Sequence, residues 1–142
     1  MTGPARMVVD ASVAIKWVTD EPGSDDAARL LDRQLVAPDL LGIEFANALW
    51  KKVRRGELAA EVAELAVKAL MRAPIEFVET RPHLDTALSL AVELDHSAYD
   101  GVYLAVAEAE AVPLVTADRR FAMRLRRTRF RDRIVALADV AN

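Results

Sequence analysis

The chain has 142 residues with no cysteine, 53% hydrophobic and 29% charged residues, and a formal net charge of -3. That balance describes one compact domain able to bury roughly 68–70% of its unfolded surface, and it excludes disulfide scaffolds, thiolate metal sites and disordered chains. No apolar run approaches the ~18 residues of a membrane span, and residues 1–6 lack the apolar stretch of a secretory signal, so a cytoplasmic protein with no membrane partner is expected.

Residues 1–6 are expected to form a flexible arm ahead of a single domain over 7–142. Met7, Val8 and Val9 are too few and too apolar for anything but a buried strand, which puts Asp10 at the turn into a short helix over 12–19. Ser24, Asp25 and Asp26 read as an N-cap and acid-rich first turn for a helix over 27–35. Val36, Ala37 and Pro38 suggest a brief second strand that ends before Pro38 or lies at a sheet edge. Ala46, Leu49, Trp50 and Val53 recur at helical spacing, giving a helix over 43–55 with Glu44 in its first turn and Gly56 as its stop. A further helix over 59–72 ends at Pro74, and 75–80 alternate like a strand with one wetter face. Leu84, Ala87, Leu88, Ala91 and Leu94 mark a helix over 83–94, followed by a very apolar one over 97–111. A buried strand over 114–116, a basic helix over 119–129 and a short strand over 134–137 complete the chain. Such alternation builds βαβ units around a mostly parallel sheet.

Ligands of an open α/β sheet bind beyond the carboxyl ends of its strands. Asp10 and Asp118 follow strands, while Glu44 and Asp100 open helices whose N-termini reach the same rim, so four carboxylates converge. Singly, each has a plainer explanation. Asp10 and Asp118 suit N-caps, Asp100 closes the capping box begun by Ser97, and Glu44 complements a helix dipole. Capping, however, does not require the helices to meet. At ~4 Å and an effective dielectric of ~20 each carboxylate pair repels by roughly 4 kcal/mol, a conflict that a hard divalent cation removes. Oxygen donors without soft ligands select Mg2+ or Mn2+, and phosphodiester hydrolysis is the chemistry such ions serve well. Asp10, Asp100 and Asp118 are the expected principal ligands, with Glu44 completing the site or orienting the attacking water. Ser12 and Thr116 could hold carboxylates in place, or bond locally in their turns. Asn47 and Lys51 share the Glu44 face of their helix.

Eight arginines against one acid, Asp132, fall between positions 119 and 133. Arg119, Arg120, Arg124, Arg126 and Arg127 are candidates to hold the phosphates of an extended strand; the plainer reading is a solvated helix face. The glycines are too scattered for a P-loop or dinucleotide fingerprint, and there is no G-x-S-x-G elbow. His83 and His96 lack zinc spacing, and His96, four residues before Asp100, could reach the rim, though a lone surface histidine is the plainer reading. Trp17, Leu30, Leu31, Leu35, Trp50 and Val53 offer bulky apolar surface for a partner groove, or for an ordinary core.

Val8-Val9-Asp10-Ala11-Ser12, Pro38-Asp39-Leu40 with Glu44-Phe45-Ala46-Asn47, Tyr99-Asp100 with Tyr103-Leu104-Ala105, and Leu114-Val115-Thr116-Ala117-Asp118 together resemble the PIN-domain ribonucleases. More narrowly they are similar to the VapC toxins of prokaryotic toxin–antitoxin pairs, from residue 7 to about 140. The resemblance implies a PIN-like three-layer α/β/α sandwich with a central parallel sheet of four or five strands. It implies Asp10, Glu44, Asp100 and Asp118 as the metal-binding set, Thr116 as the hydroxyl beside them, and Mg2+- or Mn2+-dependent endonucleolytic cleavage of RNA. A homodimer inhibited by a VapB-type antitoxin in a heteromeric complex is implied too. Gly101 departs from the pattern, where a small residue such as Ala is common, and the N-terminal arm is longer than usual. The alternatives are a PIN-type RNA-processing nuclease outside such a pair and a receiver-like Mg2+-binding module; the latter wants paired early acids and a late-strand lysine. A haloacid-dehalogenase phosphatase wants a second Asp where Ser12 stands.

Overall fold

The structure is a computed structural model that describes residues 3–140. Five strands, β1 (Arg6–Val9), β2 (Gln34–Pro38), β3 (Ile75–Val78), β4 (Leu114–Thr116) and β5 (Ile134–Ala136), form one parallel sheet in the order β3-β2-β1-β4-β5. Met7, Val8, Val9, Val36, Ala37, Leu114 and Val115 are fully buried. Unbroken apolar runs of this kind belong to strands covered on both faces. The expected α/β/α sandwich is therefore present, with five strands.

The covering helices are α1 (Ala11–Ala14), α2 (Ser24–Arg29), α3 (Leu40–Arg54), α4 (Ala60–Arg72), α5 (Leu84–Leu94), α6 (Ala98–Glu110), α7 (Arg119–Leu125) and α8 (Leu137–Val140). Of these α6 lies deepest. Every residue from Gly101 to Ala107 is buried, and the helix packs on β1, β2 and β4 while α5 covers its other side. Its all-round apolar sequence is what such a position requires. No helix among the described residues is long and apolar enough to cross a membrane.

Several boundaries differ from the sequence reading. α2 stops at Arg29 and a 3-10 turn spans Leu30–Asp32, so Leu35 belongs to β2, where it pairs with Met7 and Ile75. Its helical spacing from Leu31 is overridden by pairing on both sides, since tertiary context outweighs propensity. Pro38 ends an interior strand rather than an edge one, its partner being Val78. Ser24 is not the N-cap of α2. Gly23, at φ 92, takes that place, and the Ser24 hydroxyl donates to Thr19 O (2.7 Å) and accepts from Glu21 N (3.0 Å). α1 is a single turn continued by a 3-10 segment, Ile15–Trp17, and α7 ends at Leu125 rather than near 129. α3 begins at Leu40, so Glu44 sits in its second turn and not its first. Of the expected arm, Arg6 is already in β1, Ala5 O accepts from Gln34 N (3.0 Å) and Pro4 O from Arg33 Nη1 (2.5 Å); Met1 and Thr2 lie outside the described residues.

The approach of α5 to α6 depends on Gly101. A Cβ there would stand 2.5 Å from Ala87 O, a backbone atom that cannot rotate away. Gly101→Ala should therefore push the helices apart and destabilise the fold by about 1–3 kcal/mol, the usual consequence of overpacking. Urea unfolding checks this; an unchanged midpoint would mean that α5 yields freely.

Candidate active site

The strand order fixes where a site can form. Chain order runs outward from β1 through β2 to β3 on one side and from β4 to β5 on the other, so the reversal lies between β1 and β4. A crevice opens at such a switch point, at the strands' carboxyl ends. Asp10 follows β1 directly and Thr116 ends β4, with Val9 paired to Val115 beside them.

Hydroxyls close this crevice. Thr116 Oγ1 donates to Asp10 Oδ2 (2.6 Å) and Ser12 Oγ donates to Asp10 Oδ1 (2.5 Å). Ser12 Oγ also accepts from Ala117 N (2.9 Å), and Thr116 Oγ1 accepts from Asp118 N (3.1 Å). Both hydroxyls thus tie the β1–α1 turn to the β4–α7 turn, which is more than local turn bonding. Both aspartates also cap their helices. Asp10 Oδ1 accepts from Val13 N (3.3 Å), and Asp118 Oδ1 from Arg120 N (3.0 Å) and Phe121 N (3.1 Å).

Asp100 arrives from the first turn of α6, where its N–H donates to Ser97 Oγ (3.3 Å). Its carboxylate does not return the bond. Asp100 Oδ2 instead lies 2.6 Å from His96 Nε2, and the imidazole stacks on Phe121 with ring centroids 4.7 Å apart and planes at 15°. His96 is therefore no ordinary surface histidine but a clamped partner of a site carboxylate. The signal in the sequence was its spacing of four from Asp100, which a helix start interrupts. Glu44 comes from α3, half-buried, with Oε1 sealed from solvent and lacking a hydrogen-bond partner. The Tyr103 hydroxyl, on α6 one turn beyond Asp100, is close enough to moderate the Glu44 charge, yet it too lacks a partner in hydrogen-bond geometry. Tyr103 is 1% exposed and escaped the sequence reading as a site residue, being one aromatic in an apolar helix.

The electrostatics bind the four acids into one unit. Burial, with a lesser push from the charge of Asp100, raises the Asp10 carboxyl to about 6 against the hydroxyl bonds that hold it down. Burial, then Asp100, raises Glu44; burial raises Asp100, opposed by His96 and abetted by Asp118. Asp100 is the hub of the repulsion. Among the described residues no group of three or more Asp, Glu or His side chains is arranged to hold a metal ion. The reason is visible in the contacts: Asp10 is turned to its hydroxyls, Asp100 to His96 and Asp118 to its cap. The donor chemistry nevertheless suits a hard divalent cation, being all oxygen, crowded in charge, and containing the orphaned Glu44 Oε1.

Two clefts of about 370 Å3 each adjoin this centre. One runs past Thr116 to Lys16, Gly23, Arg119 and Leu137. The other runs past Ser12 and Glu44 to Asn47, Lys51 and Arg55. The arginine run divides. Arg129 makes a bidentate pair with Glu93 (2.9 Å), Arg133 meets Glu108 (3.3 Å), Arg126 meets Asp139 (2.8 Å) and Arg124 lies 3.7 Å from Asp95. Arg119, Arg120 and Arg127 are exposed, with no ion pair among the described residues. The expected apolar groove is also only partly there. Leu30 and Leu35 are core, and Trp17 is half-buried, with Nε1 donating to Ala27 O (2.8 Å). Leu31 and Trp50 are exposed, and Trp50 and Val53 line a cleft of about 260 Å3 between α3 and α4.

Asp10 yields a pH prediction. Its folded pKa of about 6 lies above the ordinary 3.8, so the folded state holds the proton more tightly than the unfolded one. Stability therefore falls as pH rises from about 4 to about 6, and the full penalty, about 3 kcal/mol, stands above that window. In chelator, Asp10→Asn should melt higher than the parent at pH 7, with the gap closing toward pH 4. A gap independent of pH would remove Asp10 as its source.

A family model described as the PIN domain matches residues 7–124. Ribonuclease VapC3 of Pyrobaculum aerophilum is 33% identical over 124 residues, 82% of this chain and 92% of that protein. Exonuclease VapC9 of the same organism is 38% identical over 76 residues, covering 54% and 56% of the two chains. The crystal structure of PAE2754 from Pyrobaculum aerophilum matches with a TM-score of 0.74 at 27% identity, over 96% of this chain and 93% of that one. With its parallel sheet and its acids gathered at the β1/β4 crevice, the chain belongs to the PIN-domain family and, within it, to the VapC nucleases.

Proposed function

We propose that this protein is the toxin of a VapBC-type module, a cytoplasmic endoribonuclease that hydrolyses RNA with Mg2+ or Mn2+. The observation that carries the reading is the burial of Asp10, Glu44 and Asp100 at one crevice, with Asp100 repelling Asp10 and Glu44 and itself repelled by Asp118. Asp10, Asp100 and Asp118 would hold the ion, with Glu44 completing the site. When bound, the ion supplies neutralisation of the scissile phosphate and of the departing oxygen.

The chain's own groups do the rest. Ser12 and Thr116 fix the Asp10 carboxylate in one orientation. Glu44, whose proton affinity is raised, is suited to orient the attacking water and take its proton. Water adds to phosphorus, its proton passing to Glu44, and the P–O bond to the departing ribose oxygen breaks, that oxygen taking up a proton from solvent water. Arg119, Arg120 and Arg127 stand free to hold neighbouring phosphates; Arg124 and Arg126 would first have to leave Asp95 and Asp139. Interior cleavage is favoured because one cleft starts at Glu44 and Ser12 and a second passes Thr116 on the other side, so a strand can enter by one and leave by the other. Cleavage of a circular single-stranded RNA separates this from exonuclease action. A VapB-type antitoxin is the proposed partner, with the α3–α4 cleft as its apolar seat, and the exposed α5 stripe of Leu84, Leu88 and Val92 suits a homodimer contact.

Two measurements test the centre. Asp100→Asn deletes charge but little volume, so it should keep the fold and lose Mn2+-dependent RNA cleavage by more than the roughly 10–100-fold that loss of a supporting partner costs. Mn2+ should raise the melting temperature of the parent but hardly that of the variant. An Asp100→Asn protein that cleaves at the parent rate would take this residue out of the mechanism.

His96 is a positioning residue in the same scheme. His96→Ala should weaken Mn2+ binding, read by calorimetry, by about 10–100-fold. His96→Gln, which keeps an N–H at similar reach, should recover most of it. Parent affinity in the alanine variant would make the contact merely structural.

A further inference from the structure

The cations at the end of α3 are not equivalent. Lys52 is held by Glu21 (3.4 Å) and Glu57 (3.8 Å), and the Arg54 guanidinium lies 5.5 Å from the Trp50 ring centroid, away from the acids. Lys51 and Arg55 are exposed and make no ion pair among the described residues. Those two, with Asn47 and Glu44, line the cleft that starts at Ser12. Complementing the α3 dipole would explain basic residues in its last turn, but Lys52 and Arg54 already serve it, and that need does not select one face. The spacing does. Positions 44, 47, 51 and 55 share one stripe, with Lys51 about 10 Å and Arg55 about 16 Å along the axis from Glu44.

We infer that Asn47, Lys51 and Arg55 form a phosphate-binding arm of the RNA path, holding a single strand along α3 on its way to the acidic crevice. The inference rests on the ribonuclease reading above and extends it to residues outside the arginine run. No aromatic ring lines this cleft, so the arm grips backbone rather than stacking bases, and on this side the protein tolerates any sequence. The Asn47 amide, between Glu44 and Lys51, offers a donor and an acceptor at the level of the ribose hydroxyls.

The test is fluorescence anisotropy with a labelled single-stranded RNA of about 12 nucleotides. Asp100→Asn is the background throughout, so that the probe stays intact, and salt is varied. Adding Lys51→Gln and Arg55→Gln should weaken binding by about 10-fold at moderate salt and flatten the slope of log K against log salt by about 1.4, two contacts at ~0.7 each for a single strand. The control pair Lys68→Gln and Arg72→Gln on α4 removes the same charge from exposed positions outside both clefts and should leave the slope alone. An unchanged slope in the α3 pair, or equal flattening in both pairs, overturns the arm. Parent protein that neither binds nor cleaves RNA overturns the underlying reading with it, whereas RNA cleavage by the parent with an insensitive α3 pair sinks the arm alone.

Discussion

Burial of carboxylates at the β1/β4 crevice, sharpened by like-charge repulsion, is the constraint around which the molecule is arranged. Asp10 cannot leave it: the residue follows a fully buried strand and is itself 5% exposed. Burial on this scale favours a neutral carboxyl, and two hydroxyls and one N–H only partly restore the charged form. Asp100 then brings a second charge against both Asp10 and Glu44. A fold optimised for stability alone would place none of these groups here. Strain of this kind, concentrated in one crevice and offset by the apolar packing of the sheet, is the usual mark of a site kept for chemistry.

The scaffold delivers the charges with little freedom. Gly101 lets α6 approach the α5 backbone, and that same first stretch of α6 carries Asp100 and Tyr103. α5 ends with Asp95 in the left-handed region at φ 51, while His96 N donates back to Ala91 O (3.0 Å). This reversal is a helix stop normally built on glycine, and a short polar side chain tolerates it. Its consequence is directional. The chain turns at Asp95 so that His96 meets Asp100 and lies on Phe121 of α7, which makes the end of one helix an aiming device for the start of the next.

What could be read from the sequence was local in origin. The apolar triplet at Met7 is short and unbroken because both faces of β1 are covered, so the strand and the position of Asp10 followed from the triplet itself. Ser97, Asp10 and Asp118 announced themselves as caps for the same reason. What escaped depends on partners far along the chain. Leu35 looks helical until β1 and β3 pair on either side of it. The arginine run looks uniform, yet Glu93 and Glu108 from α5 and α6 remove Arg129 and Arg133 from it. The Ser12–Ala117 bond spans 105 positions, and Tyr103 has no local signature at all.

An acidic chain that handles a polyanion must also resolve a conflict between approach and chemistry. On the proposed reading the phosphates are drawn by exposed cations on α3 and α7, but their destination is a crevice of crowded carboxylates that repels them. A divalent cation offsets about half of that charge and offers the phosphate oxygens a positive centre, leaving the cationic arms unchanged. Each ligand therefore improves the site for the other. Thermodynamic linkage makes the benefit symmetric: whatever factor the ion adds to RNA affinity, RNA must add to the affinity for the ion. The raised proton affinities of the buried carboxylates have the same origin as that linkage, since burial and crowding disfavour their charge until an opposite charge lies beside them.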